Sequence, residues 1–107
     1  MNNSCKKIGN KCCEDSHLSN LSDILSIISQ ENRLQILCLL NKNNELCVCE
    51  IIEILWLKQN LVSHHLMILK NIWLLKRRKD WKQVFYSINK DYYSEIIEQI
   101  KIIFNIN

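Results

Sequence analysis

The sequence predicts a mainly α, α+β domain in which helices flank one short β-hairpin. Three observations lead there. Apolar residues recur at helical spacing through residues 18–71 and again over 90–104. Between those stretches lie two short runs, 74–78 and 83–88, the second holding Val84, Phe85 and Tyr86 in succession, a composition suited to strands. The chain has 107 residues, 48% apolar and 23% charged, which is enough for one hydrophobic core.

Residues 1–16 show no sustained periodicity but hold Cys5, Cys12 and Cys13, so they are read as a mobile arm ahead of a domain over 17–107. Leu18, Leu21, Leu25 and Ile28 then share one helical face. Ser29 is placed to cap a second helix carrying Leu34, Ile36, Leu37 and Leu40, which the polar run Asn41-Lys42-Asn43-Asn44 ends. A third helix, 46–55, is expected to bury Val48, Ile51, Ile52 and Leu55. A break at Trp56-Leu57-Lys58 leads to a fourth, 59–71, whose Val62, Leu66 and Leu69 face the core. Gln59, Asn60, Ser63, His64 and Met67 are left facing outwards. Two such helices joined by a short turn make a helix-turn-helix, and a hairpin after it makes a two-stranded wing. The last helix, 90–104, presents Ile96, Ile97, Ile100, Ile103 and Phe104 with nothing following to cover them, so a second copy of the chain is the expected cover.

Charge and cysteine narrow the function. Residues 56–90 hold Lys58, Lys70, Lys76, Arg77, Arg78, Lys79, Lys82 and Lys90 against Asp80 alone, although the whole chain carries only +3. A basic half on a small domain points to nucleic acid. No apolar run approaches the roughly 18–20 residues of a membrane span, and the N-terminus leads into polar sequence, so the expectation is a cytoplasmic protein with no membrane partner. In a reducing compartment six cysteines favour metal binding or redox chemistry over structural disulfides. Cys38 is assigned to the core.

Cys47 and Cys49 stand one residue apart at the expected start of a helix, where thiol pKa values fall and soft cations are favoured. Residues i and i+2 of a helix point about 200° apart, so both sulfurs reach one ion only if the first turn is unwound. The alternative is that both are small buried hydrophobes. An enzyme is not expected: there is no Gly-rich phosphate loop and no Cys-x-x-Cys pair, which leaves a thiol oxidoreductase as a distant third reading.

In Glu45-Leu46-Cys47-Val48-Cys49-Glu50, Val62-Ser63-His64-His65-Leu66 with Leu69-Lys70, Arg77-Arg78-Lys79 and Val84-Phe85-Tyr86-Ser87, the chain resembles the ArsR/SmtB family of metal-responsive winged-helix repressors. The match runs from Leu21 to Ile88. The resemblance implies a homodimer that represses a resistance operon and releases double-stranded operator DNA on binding a thiophilic ion: Cd, Pb, Zn, As or Sb. It implies no organic cofactor. A third box cysteine is absent, Ile52 standing there, whereas Cys5, Cys12 and Cys13 match the cadmium/lead-responsive branch, in which arm cysteines complete the site with Cys47 and Cys49. Carboxylate and histidine ligands of the last helix are missing, since Asp91 is present but no histidine follows His65.

Trp56, Trp73 and Trp81 stand where the family pattern has glycine, at the helix-helix turn, the end of the recognition helix and the hairpin tip. A bulky residue there costs roughly 1–2 kcal/mol each. The expectation is that the native chain has glycine at all three, from UGA codons read as glycine.

Within the recognition helix His64 and His65 point about 100° apart and cannot both face DNA. His64, beside Asn60 and Ser63, is assigned to DNA, and His65 to a half-buried structural hydrogen bond. Lys58, Arg77, Arg78 and Lys79 are assigned to phosphates, the alternative for the wing cations being a charged edge strand that resists aggregation. His17 is assigned to a cap or to solvent. The resulting expectation is a metal-sensing repressor, with a thiol-based redox regulator on the same fold as the alternative.

Overall fold

Leu21 and Ile24, three residues apart and both buried, decide which side of the first helix packs inward. A computed structural model describes residues 15–106, with side chains from Asn20 onwards; Cys5, Cys12 and Cys13 lie outside the described residues. Helix α1 spans Asp15–Ile28, beginning within the stretch assigned to the arm. Helix α2 spans Glu31–Lys42. Its N-cap is Gln30, in extended conformation with no side-chain cap bond, rather than Ser29. The Ser29 hydroxyl instead donates back to the Ser26 carbonyl at 2.8 Å, closing α1.

Helix α2 buries Arg33, Ile36, Leu37 and Leu40. Leu34 is 48% exposed and Cys38 is exposed, so neither belongs to the core as the sequence suggested. The apolar run covers more of the circumference than the neighbours can bury, and Leu34 and Cys38 lie about 100° from the stripe that includes Arg33 and Leu37.

Leu46 and Cys47 form a short strand, β1, before helix α3 (Val48–Leu55). The expected helix over 46–55 therefore loses its first two residues to the sheet. Helix α4 spans Gln59–Asn71, strands β2 and β3 span Leu75–Asp80 and Gln83–Ile88, and helix α5 spans Lys90–Phe104. The antiparallel sheet runs β1-β3-β2, with Leu46 opposite Tyr86 and Cys47 opposite Phe85. The wing is the expected two-stranded hairpin, β2–β3, and β1 adds a third strand to the sheet. Within the hairpin Arg77 faces Tyr86, Arg78 faces Phe85 and Asp80 faces Gln83.

The core forms where α2, α4 and the sheet meet, and Ile36, Ile51, Val62, Leu66 and Leu69 are fully enclosed in it. Of α5 only Ile96 is buried, while Ile102, Ile103 and Phe104 are exposed. No described helix is long and apolar enough to cross a membrane.

Candidate DNA-binding surface and cysteine site

Burial of Val62, Leu66 and Leu69 rotates the opposite face of α4 outward, so Gln59, Asn60, Ser63, His64 and Met67 are all exposed. Lys58 is the N-cap of α4, extended at φ −69° and exposed, which sets a cation at the entrance to that face. His65 is inside, 4% exposed, and its Nδ1 accepts from Arg33 Nε at 3.0 Å. Arg33 is itself buried and donates a second bond, from its NH1 nitrogen, to the Ile27 carbonyl at 2.8 Å. An imidazole accepting at Nδ1 carries its proton on Nε2, which is buried and finds no partner among the described residues. Burial, then the nearby Arg33 charge, then His64, hold the His65 pKa below its ordinary value. The pair fastens α4 to α2 and to the end of α1.

In the wing, Arg77, Arg78 and Lys79 are exposed. Arg78 is committed in the structure. It donates to both carboxylate oxygens of Glu45 at 2.9 and 2.8 Å, and its guanidinium lies over the Phe85 ring at 4.6 Å. The Arg78 hydrogen bond holds the Glu45 carboxyl below its ordinary pKa. Asp80 stands 3.6 Å from the same guanidinium. Arg77 and Lys79 make no ion pair among the described residues, which leaves them readier for phosphate than Arg78.

Cys47 sits at the junction of sheet and helix. It is the N-cap of α3, extended at φ −80° and ψ 160°, and belongs to β1 rather than to a helical turn. Glu50 closes a capping box: its side chain accepts from the Cys47 N–H at 2.9 Å, and its own N–H donates to Cys47 Sγ at 3.3 Å. The expected 200° divergence of the two sulfurs does not apply, because Cys47 is not helical. Its Cα lies 5.3 Å from that of Cys49, and the two are joined by a disulfide. Reduction would leave two thiols side by side, suited to a soft ion. Among the described residues no group of three or more His, Cys, Asp or Glu converges, so further protein ligands would have to come from outside them.

A cleft of about 330 Å³ opens beside this pair. Cys47, Cys49 and Ile52 form one side, Gln59 and Ser63 of α4 a second, and Lys82, Gln83 and Val84 of the hairpin a third. The cysteine pair and two residues assigned to DNA therefore share one cavity. Sequence reasoning named Glu45 and Lys82 without giving either a role in this neighbourhood, and missed Gln83 and the pairing of Cys47 with the wing. A two-residue strand has no periodicity to detect, and the partner strand lies nearly forty positions away.

A helix-turn-helix with an exposed polar recognition face, followed by a basic hairpin, defines a winged-helix DNA-binding regulator. Residues 30–72 match the family described as "Bacterial regulatory protein, arsR family". The chain is 31% identical over 93 residues to the "Cadmium resistance transcriptional regulatory protein CadC homolog" of Staphylococcus aureus, covering 84% of this chain and 77% of that protein. It is 39% identical over 83 residues to the "Arsenical resistance operon repressor" of the same species, covering 78% and 79% respectively. The solved structure of HlyU from Vibrio cholerae N16961 superposes with a TM-score of 0.71 at 32% identity, covering 84% of this chain and 97% of that one. The chain belongs to the arsR family of bacterial transcriptional regulators.

Proposed function

We propose that the protein is a homodimeric repressor that leaves its operator when the Cys47–Cys49 pair, in its reduced form, takes up a thiophilic ion of the Cd, Pb, Zn, As or Sb group. The observation that carries the reading is the placement of that pair: at the cap of α3, paired to the wing strand through Cys47, and in one cleft with Gln59 and Ser63. Relatives described as cadmium- and arsenical-resistance regulators support the effector class. The ion supplies bonds to sulfur when bound. Thiolates turned toward it reshape the α3 cap, and with it the wall shared with α4. Arm cysteines Cys5, Cys12 and Cys13 are the proposed remaining ligands. The exposed Ile102, Ile103 and Phe104 of α5 would be covered by the second copy, whose recognition helix reaches a half-site about 34–36 Å away. The proposed place of action is the cytoplasm, on duplex DNA.

The deciding experiment is titration of the reduced protein with each ion, following thiolate-to-metal ultraviolet absorption and operator release together. Absorption without operator release for every ion of the group would sink the proposal.

On the DNA side, Gln59, Asn60, Ser63 and His64 read base edges while Lys58, Arg77, Arg78 and Lys79 neutralise phosphates. Replacing Arg77 or Lys79 should weaken binding to all sequences and reduce the salt slope by about 0.9 for each phosphate no longer neutralised. Changing Gln59 or Asn60 should cost about 1–3 kcal/mol mainly at particular base pairs. Arg78→Ala should show a smaller salt effect, because Glu45 already holds that guanidinium. Binding isotherms over a salt series on operator variants check all three.

A second reading is favoured by the disulfide itself: a redox regulator in which the box closes on itself. A hydroperoxide would oxidise one thiolate to a sulfenic acid, releasing an alcohol or water, and the second thiol would displace water to form the disulfide. Operator release by peroxide in the absence of metal would establish it.

A further inference from the structure

Every tryptophan in the chain has a left-handed backbone. Trp56, Trp73 and Trp81 have φ of 58°, 70° and 57°, and the only other non-glycine residue with positive φ among the described ones is Asn105. Asparagine tolerates that region; tryptophan, with a Cβ and a bulky ring, is among the residues least suited to it.

The three positions belong to three different motifs, each of which calls for glycine on its own grounds. Trp56 ends α3 in an αL cap, its N–H donating to the Ile52 carbonyl at 2.9 Å. Trp73 stands one residue beyond the C-cap of α4 in a Schellman motif. Its N–H donates to the Lys70 carbonyl at 3.0 Å, and that of Leu74 donates to the Leu69 carbonyl at 3.1 Å, with Leu69 and Leu74 both buried beneath. Trp81 is the first of the two loop residues between the paired Asp80 and Gln83, and it has positive φ while Lys82 does not, the pattern of a type II′ hairpin turn.

The side chains offer no compensating role. They are 91%, 69% and 82% exposed, and among the described residues the one aromatic interaction any of them makes is Lys82 Nζ over the Trp81 ring at 4.9 Å. A surface selected for indole rings would have no reason to place all of them on backbones that disfavour a side chain. Glycine is correspondingly scarce: the chain has one, Gly9, where average usage would give about seven.

We infer that the natural protein carries glycine at positions 56, 73 and 81, and that tryptophan stands there because UGA codons which the source cell reads as glycine have been translated as tryptophan. This inference is independent of what the effector is. It implies a glycine-charged tRNA able to read UGA in that cell, and a protein with no tryptophan.

Mass spectrometry of the protein isolated from its own cells should place glycine in all three peptides, and its fluorescence should come from its three tyrosines alone. Tryptophan at any of the three positions in that native protein overturns the inference. The backbone basis is tested separately by thermal denaturation of the recombinant chain. The triple variant Trp56→Gly, Trp73→Gly, Trp81→Gly should melt about 10 °C or more above the tryptophan form. The matching triple alanine variant, which keeps a Cβ, should gain clearly less. Equal melting of the glycine and tryptophan forms, or of the glycine and alanine forms, would remove the steric ground for the inference.

Discussion

Cys47→Ser keeps the protein on its operator at ion concentrations that release the unaltered chain. Coupling between effector and DNA sites is typically about 1–3 kcal/mol, so roughly a 5- to 150-fold difference in operator affinity with and without the ion should vanish in the variant. Because Cys47 is extended and its sulfur lies against that of Cys49, Cys49→Ser should lose the response as well. A helical Cys47 would have made Cys49 dispensable. Repression itself should survive both changes, since Glu50 still accepts from the residue 47 N–H and serine is itself a good N-cap. Deleting residues 1–13 tests the arm: if the truncated chain releases DNA at the same cadmium or lead concentration, the arm cysteines are not ligands, and a box site for arsenite becomes the better assignment. Reciprocity adds a check, because operator DNA must weaken ion binding by the same factor.

Arg33→Met should destabilise the fold by about 2–4 kcal/mol. The change removes the donor to the buried His65 Nδ1 and the donor to the partly buried Ile27 carbonyl, at about 1–3 kcal/mol for a fully buried acceptor left without a partner and less for the carbonyl. Replacing both partners, Arg33→Met with His65→Leu, should recover most of that loss, because no polar side chain of the pair then remains to be satisfied. Chemical denaturation of the two single variants and the double variant measures the coupling. The pH dependence has a definite sign. His65 in the folded chain has a pKa below 6.5, its ordinary value, so the unfolded chain binds the proton first as pH falls. The stability is complete above about pH 6.5, declines below it, and is lost as pH passes through the lower folded value, where protonation would also forbid the bond from Arg33. The double variant should lack this decline.

Much of the fold could be read from the residues. The stripe Val62, Leu66, Leu69 determined both the limits of α4 and which of its side chains face outward, because a 3.6-residue repeat leaves one consistent rotation. The strand Gln83–Ile88 and the helix Lys90–Phe104 likewise fall where composition and periodicity place them. His65 was legible as structural from its place between Val62 and Leu66. The left-handed backbone at Trp56, Trp73 and Trp81 was legible too, from the glycine that the family pattern has at those caps and turns.

Four features were decided only by tertiary structure, three of them through a partner distant in the chain and the fourth through the lack of a covering element among the described residues. Leu46 and Cys47 leave the helix for the sheet because Tyr86 and Phe85 offer their backbone groups. Arg33 displaces Leu34 from the inner face of α2 because the buried His65 and the partly buried Ile27 carbonyl give its guanidinium partners. Arg78 turns to Glu45, 33 positions away, rather than standing free on the wing. Cys38, read as core, is exposed because no described element covers its side of α2. Local sequence sets helical and strand periods through sterics that act over a few residues. Which polar groups find buried partners, and whether two sulfurs meet, depends on how those elements close on one another.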